Sequence, residues 1–150
     1  MKKTAAVIGA AGICLTAGLA PALAAGSVHH FHTTASPKTV KVGHNVTAKG
    51  TGAEKNTTYY CALTLYKKGV NIGQAGADLT SATQVKSNKK GAISCTRKVV
   101  SWHGSGKYSS YKCPVPKAQA KKGWHCAIAF ADAATQGGKS VGIATFNAKK

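Results

Sequence analysis

Three carboxylates, Glu54, Asp78 and Asp132, face 21 lysines and arginines, and that imbalance limits the chemistry open to the chain. Glycoside-type hydrolysis needs two acids in one cleft, and Glu54 and Asp132 both fall beside turns. A serine-histidine-acid set would need one of the same acids behind a histidine. His125 and Asp132 bracket a single run, which separates them by over ~20 Å if it is extended. A thiol nucleophile needs an unpaired cysteine, and the cysteine count below leaves none. No catalytic set emerges, and the chain reads as a binder, not an enzyme.

The first residues explain the cysteines. Met1-Lys2-Lys3, an uncharged run to Leu19 and the exit Pro21-Ala22-Leu23-Ala24 have the three parts of a secretory signal peptide, with cleavage expected after Ala24. The apolar run is shorter than the ~20 residues of a membrane span, so release outside the cell is expected over anchoring. Cys14 leaves with this leader. Cys61, Cys95, Cys113 and Cys126 remain, an even set in an oxidising compartment, and two disulfides are expected. Three pairings are open. Joining Cys113 to Cys126 closes a short loop, worth about 3 kcal/mol without strain. It leaves Cys61 and Cys95 for a bond across the core. With no Cys-x-x-Cys pair, zinc is not expected. His30 and His32 alternate beside His29 and could share a copper, nickel or zinc ion. A solvated tail is the simpler reading, so no metal and no cofactor is assigned.

The basic residues carry the rest. Net charge is +18, falling to +16 when Lys2 and Lys3 leave with the leader. Such a surface attracts DNA, anionic lipid or acidic wall polymers, although it also serves solubility. Residues 101–124 interleave Trp102, His103, Tyr108, Tyr111 and Trp124 with Lys107, Lys112, Lys117, Lys121 and Lys122. Rings among cations suit bases stacked over lysine-held phosphates, or equally the wall of an apolar cleft. The plain alternative is a loop packing its own rings over the open end of the domain.

The elements that position these residues read as strands. Tyr59 to Tyr66 alternates Tyr59, Cys61, Leu63 and Leu65 against Tyr60, Ala62, Thr64 and Tyr66, the period of a sheet. Val40–Val42, Asn45–Ala48, Ala92–Val100, Cys126–Phe130 and Val141–Phe146 behave likewise, separated by glycine, asparagine and lysine turns, with one turn expected from Asp132 to Gly138. No useful length shows helical spacing. About seven short strands predict an all-β, immunoglobulin-like antiparallel β-sandwich over 37–150, stapled by two disulfides. Residues 25–36 are expected to be a flexible histidine-containing lead or a first edge strand.

Three blocks carry a resemblance. Val42-Gly43-His44-Asn45-Val46-Thr47-Ala48-Lys49-Gly50-Thr51-Gly52 leads to Cys61-Ala62; Asn88-Lys89-Lys90-Gly91-Ala92-Ile93-Ser94 leads to Val99-Val100. The last is Cys126-Ala127-Ile128-Ala129-Phe130-Ala131-Asp132-Ala133-Ala134, followed by Gly142-Ile143-Ala144 and Phe146-Asn147. Together they resemble the neocarzinostatin family, the secreted apoproteins of enediyne antibiotic chromophores. The resemblance implies the same sandwich and a chromophore cleft, with Leu63 where the family places an indole. It also implies a first disulfide from Cys61 to a cysteine about ten residues on; residues 68–76 hold none, which leaves Cys95. Relatives of known role are acidic, whereas this chain is basic. Two functions are therefore expected. The first is a secreted, monomeric, polyanion-binding protein for DNA or anionic cell envelope, with an antimicrobial effect. The alternative is a carrier for a small apolar antibiotic-like chromophore, held beside the 101–124 loop by Leu63, Trp102, His103, Tyr108 and Tyr111.

Overall fold

Alternation along Asn45–Thr51 sends Val46, Ala48 and Gly50 inward and leaves Asn45, Lys49 and Thr51 to solvent, as in a strand with one buried face. The same logic sets most of the chain. The computed structural model describes residues 28–77, 82–132 and 139–150. The leader expected over 1–24 lies outside them, as do Asp78 and most of the turn expected after Asp132. In chain order the strands are β1 (His29–His30), β2 (His32–Ser36), β3 (Thr39–Lys41), β4 (Asn45–Thr51), β5 (Thr58–Tyr66) and β6 (Thr83–Lys86). They continue as β7 (Ile93–Lys98), β8 (Trp102–His103), β9 (Lys112–Cys113), β10 (His125–Ala131) and β11 (Ser140–Lys149). Two single-turn helices, α1 (Ile72–Ala75) and α2 (Lys117–Ala120), lie in connections.

The larger sheet has the order β1-β11-β10-β5-β6, with β3 also on β11; the smaller is β2-β4-β7, and β8 and β9 form a separate ribbon. β2, β4, β5, β6, β7, β10 and β11 carry the sandwich, and the other four strands are pieces of two or three residues. All pairings among those seven are antiparallel. β1 and β3 instead run parallel to β11, because the first segment switches sheets twice and meets β11 each time from the same direction.

β5 and β10 hold the centre. Five consecutive residues are buried in each, so both faces of the larger sheet are covered there. On the inner side lie Cys61, Leu63 and Leu65, opposite Phe130, Ile128 and Cys126 in register. On the outer side Thr64 bridges to Ala77, and its hydroxyl donates to the Gly76 carbonyl at 3.4 Å. Cys61 of β5 bonds to Cys95 of β7, with Cα atoms 6.6 Å apart, and so ties the larger sheet to the smaller.

Of the two expectations for residues 25–36, a first edge strand describes β2, which pairs with β4 at the edge of the smaller sheet, so the sandwich extends ahead of residue 37. Phe31, between β1 and β2, is 7 % exposed and packs edge-on against Tyr59 at 5.5 Å and beside Phe130 at 6.1 Å. Its ring occupies space left by two glycines. A Cβ on Gly50 would come within 2.8 Å of the Phe31 ring, and one on Gly142 would strike the same ring. Below it, the Glu54 backbone N–H donates to the Tyr59 hydroxyl, which donates to the Ser140 hydroxyl, each at 3.0 Å. This chain satisfies two wholly buried polar groups.

Candidate functional site

Residues 101–124 leave the sandwich as an arm. β8 and β9 pair Trp102 with Cys113 and His103 with Lys112, and a single 3₁₀ turn, Gly106–Tyr108, caps the ribbon. Cys113 bonds to Cys126 at the start of β10, with Cα atoms 5.7 Å apart, so the arm is anchored to the central sheet. Gln119 of α2 ties the returning chain to the ribbon: its amide N–H donates to the Ser110 carbonyl at 2.9 Å, and its amide oxygen accepts from the Lys112 N–H at 3.4 Å. At the other end the ribbon lies on backbone. Gly76 has φ +87°, and a Cβ there would come within 2.7 Å of the Ser105 nitrogen, so only glycine permits this approach.

The aromatic rings of the arm face one another. Tyr111 stacks on Trp124 with centroids 4.3 Å apart, and Tyr108 meets Trp124 edge-on at 5.4 Å. Trp124 is 2 % exposed and Trp102 9 %. Both indole N–H groups are buried without a hydrogen-bond partner. His103 is exposed and pairs with Lys112 in the ribbon. Leu63 is 1 % exposed and faces the core beside Ile128, because it shares the inward face of β5 with Cys61. The expected ligand-binding set of Leu63, Trp102, His103, Tyr108 and Tyr111 is therefore not brought together as one open wall. Trp102 and Leu63 are sealed in, and the tyrosines cover Trp124.

The five lysines behave differently. Lys107, Lys112, Lys117, Lys121 and Lys122 are all exposed on the arm. Lys107 Nζ lies 5.1 Å from the centroid of the Tyr108 ring, a cation–π contact that keeps the ammonium at the surface. No acidic residue occurs between Asp78 and Asp132 in the chain. Asp132 itself is engaged at the far end of β10, accepting from the Lys139 N–H at 3.1 Å. His125 and Asp132 flank opposite ends of that strand and form no catalytic pair. Among the described residues no group of three histidine, cysteine or acidic side chains could hold a metal. His29 and His30 are in a strand, and His29 Nδ1 sits 3.4 Å from the Ser140 hydroxyl.

Among the described residues, two open recesses bear on the site. One, of about 360 Å³, lies between the arm and the last strand, lined by Val115, Trp124, Phe146 and Ala148 with His125 and Lys149 beside them. The other, of about 460 Å³, lies beside β4 and includes Lys49 and Lys86, two lysines not singled out from the sequence. The signal for Lys49 was present in the alternation of Asn45, Thr47, Lys49 and Thr51. Lys86 had none, because its strand is only four residues long.

The architecture, two β-sheets joined by a disulfide with a second disulfide anchoring a ribbon, is that of an immunoglobulin-like β-sandwich. Among solved structures it is similar to macromomycin, with 20 % sequence identity and a TM-score of 0.52, over 78 % of this chain and 97 % of that one. Macromomycin is a protein of the neocarzinostatin family, so the likeness read from the three sequence blocks holds at the level of the fold. No protein-family model matches the chain, and no curated protein matches its sequence.

Proposed function

We propose that this chain is an exported, non-enzymatic binding protein whose arm holds polyanions, either DNA or the anionic polymer of a cell envelope. The observation that carries the reading is the separation of roles within residues 101–124. The rings close on Trp124, while all five lysines stay exposed with no acid nearby in sequence. A surface of that kind gains most of its affinity by releasing counterions from phosphates. The two disulfides favour an oxidising, extracellular setting, and no helix among the described residues is long and apolar enough to cross a membrane. An antimicrobial effect would follow from binding an anionic envelope. Retention of the purified protein on immobilised duplex DNA or on acidic wall polymer at low salt tests the reading. Absence of retention on both rejects it.

A second reading has one observation in its favour. Macromomycin belongs to a family of chromophore apoproteins, and the recess of about 360 Å³ beside Trp124 is large enough for part of a small apolar molecule. Native mass spectrometry of protein taken from its own host separates the two, because only a carrier retains a small molecule.

A further inference from the structure

The outer face of the three-stranded sheet is built from hydrogen-bonding groups and cations alone. Register sets Thr34, Lys49 and Ser94 in one row across β2, β4 and β7, and Ser36, Thr47 and Thr96 in the next. All six are exposed except Thr47, which is half-buried, and the Thr47 and Thr96 hydroxyls lie 2.8 Å apart. Rows on such a face repeat at about 4.8 Å between strands and about 6.7 Å along them. At its edge the recess of about 460 Å³ adds Lys86 and Asn88 to Lys49, Thr51 and Ser94. Lys49 of the smaller sheet and Lys86, on β6 at the edge of the larger one, thus line one recess with the hydroxyl-bearing Thr51 and Ser94.

We propose that this face binds a polyol phosphate polymer, with its phosphates on Lys49 and Lys86 and its hydroxyls on Thr51 and Ser94. The inference rests on the polyanion reading and adds a second surface to the arm, with a chemistry of its own. The face has no tyrosine, tryptophan or phenylalanine ring, and its one imidazole, His32, stands at the end of the row beside Thr51, which offers no run of rings for successive bases of a single strand. A charge-only ligand such as inorganic polyphosphate would leave its hydroxyl rows unused. A polymer that alternates phosphate with alcohol uses both, since threonine and serine hydroxyls both donate and accept. The sheet holds these groups in place before binding, so little side-chain order is lost apart from that of the two lysines.

The test titrates the full chain with poly(glycerol phosphate) and, at equal charge, with inorganic polyphosphate and duplex DNA. Lys49→Glu with Lys86→Glu is expected to weaken poly(glycerol phosphate) binding by about tenfold or more at low salt. Thr51→Val with Ser94→Ala should weaken that polymer by about three- to tenfold and leave polyphosphate within about twofold, because only lost hydrogen bonds are involved. Equal effects on both polymers, or no effect on either, overturn the proposal. So does poly(glycerol phosphate) binding that is lost on reversing Lys117, Lys121 and Lys122 of the arm while Lys49→Glu with Lys86→Glu leaves it unchanged. If duplex DNA is the polymer lost with Lys49→Glu and Lys86→Glu, the face is a nucleic-acid surface and the proposal again fails. A wild-type chain that binds none of the three polymers rejects the polyanion reading itself, whereas one that binds DNA but not poly(glycerol phosphate) rejects only this face.

Discussion

Tyr111 lies stacked on Trp124, centroids 4.3 Å apart and planes 29° from parallel, and this pairing determines what the arm can offer to a partner. The tyrosines that cover Trp124 stabilise the loop, and the buried indole is not itself a platform. If so, Tyr111→Ala should expose Trp124 and shift its fluorescence to longer wavelength. It should lower stability by about 1–3 kcal/mol, from lost stacking and burial. Affinity for DNA should change less than about twofold, since a surface ring contributes nothing to counterion release. A large loss of affinity would make the ring a contact.

The anchor of the arm is equally testable. Replacing Cys113 and Cys126 together by alanine removes a bond that closes a short loop, residues 13 apart in sequence, and should cost about 3 kcal/mol. Thermal unfolding reads the loss. The strand signature in far-ultraviolet dichroism should persist, because Cys61–Cys95 still joins the two sheets. Collapse of the whole fold on losing this pair would contradict the arm's status as an appendage.

A third prediction concerns Phe31 and Gly142. Gly142→Ala forces a methyl group into the Phe31 ring and should destabilise by about 1–3 kcal/mol through overpacking. Phe31→Ala opens a cavity and should cost about 3–5 kcal/mol. In the double variant the new methyl enters that cavity, so the two costs should sum to more than the measured total. Additivity in denaturant unfolding would mean that the ring and the glycine do not meet.

Much of this fold was legible because period-2 burial is a local property. Tyr59–Tyr66 and Cys126–Phe130 show themselves by alternation, and an even set of four cysteines, three of them on such runs and Cys113 inside the 101–124 excursion, leaves three pairings. What stayed hidden depends on distant partners. Phe31 sits in a short segment among histidines, and its place in the core requires Gly50 and Gly142, which contribute only by having no side chain. The parallel pairing of β1 and β3 along β11 depends on sheet switching, which leaves no composition signal. Within the site, exposure of the lysines followed from charge alone. The inward turn of the rings did not, because Tyr108, Tyr111 and Trp124 could as well have lined a cleft until the disulfide and Gln119 fixed the path of the loop. Leu63, which the resemblance assigns to a cleft, stands in register with Ile128 on the buried inner face of β5, a placement that depends on the partner strand.

The most direct measurement is the salt dependence of DNA binding by the wild-type chain and by Lys117→Gln/Lys121→Gln/Lys122→Gln. Each phosphate contact contributes about 0.9 to the slope of log affinity against log salt, so the variant's slope should be shallower by about 2 to 3. Equal slopes for the two proteins would contradict the assignment of polyanion binding to the arm.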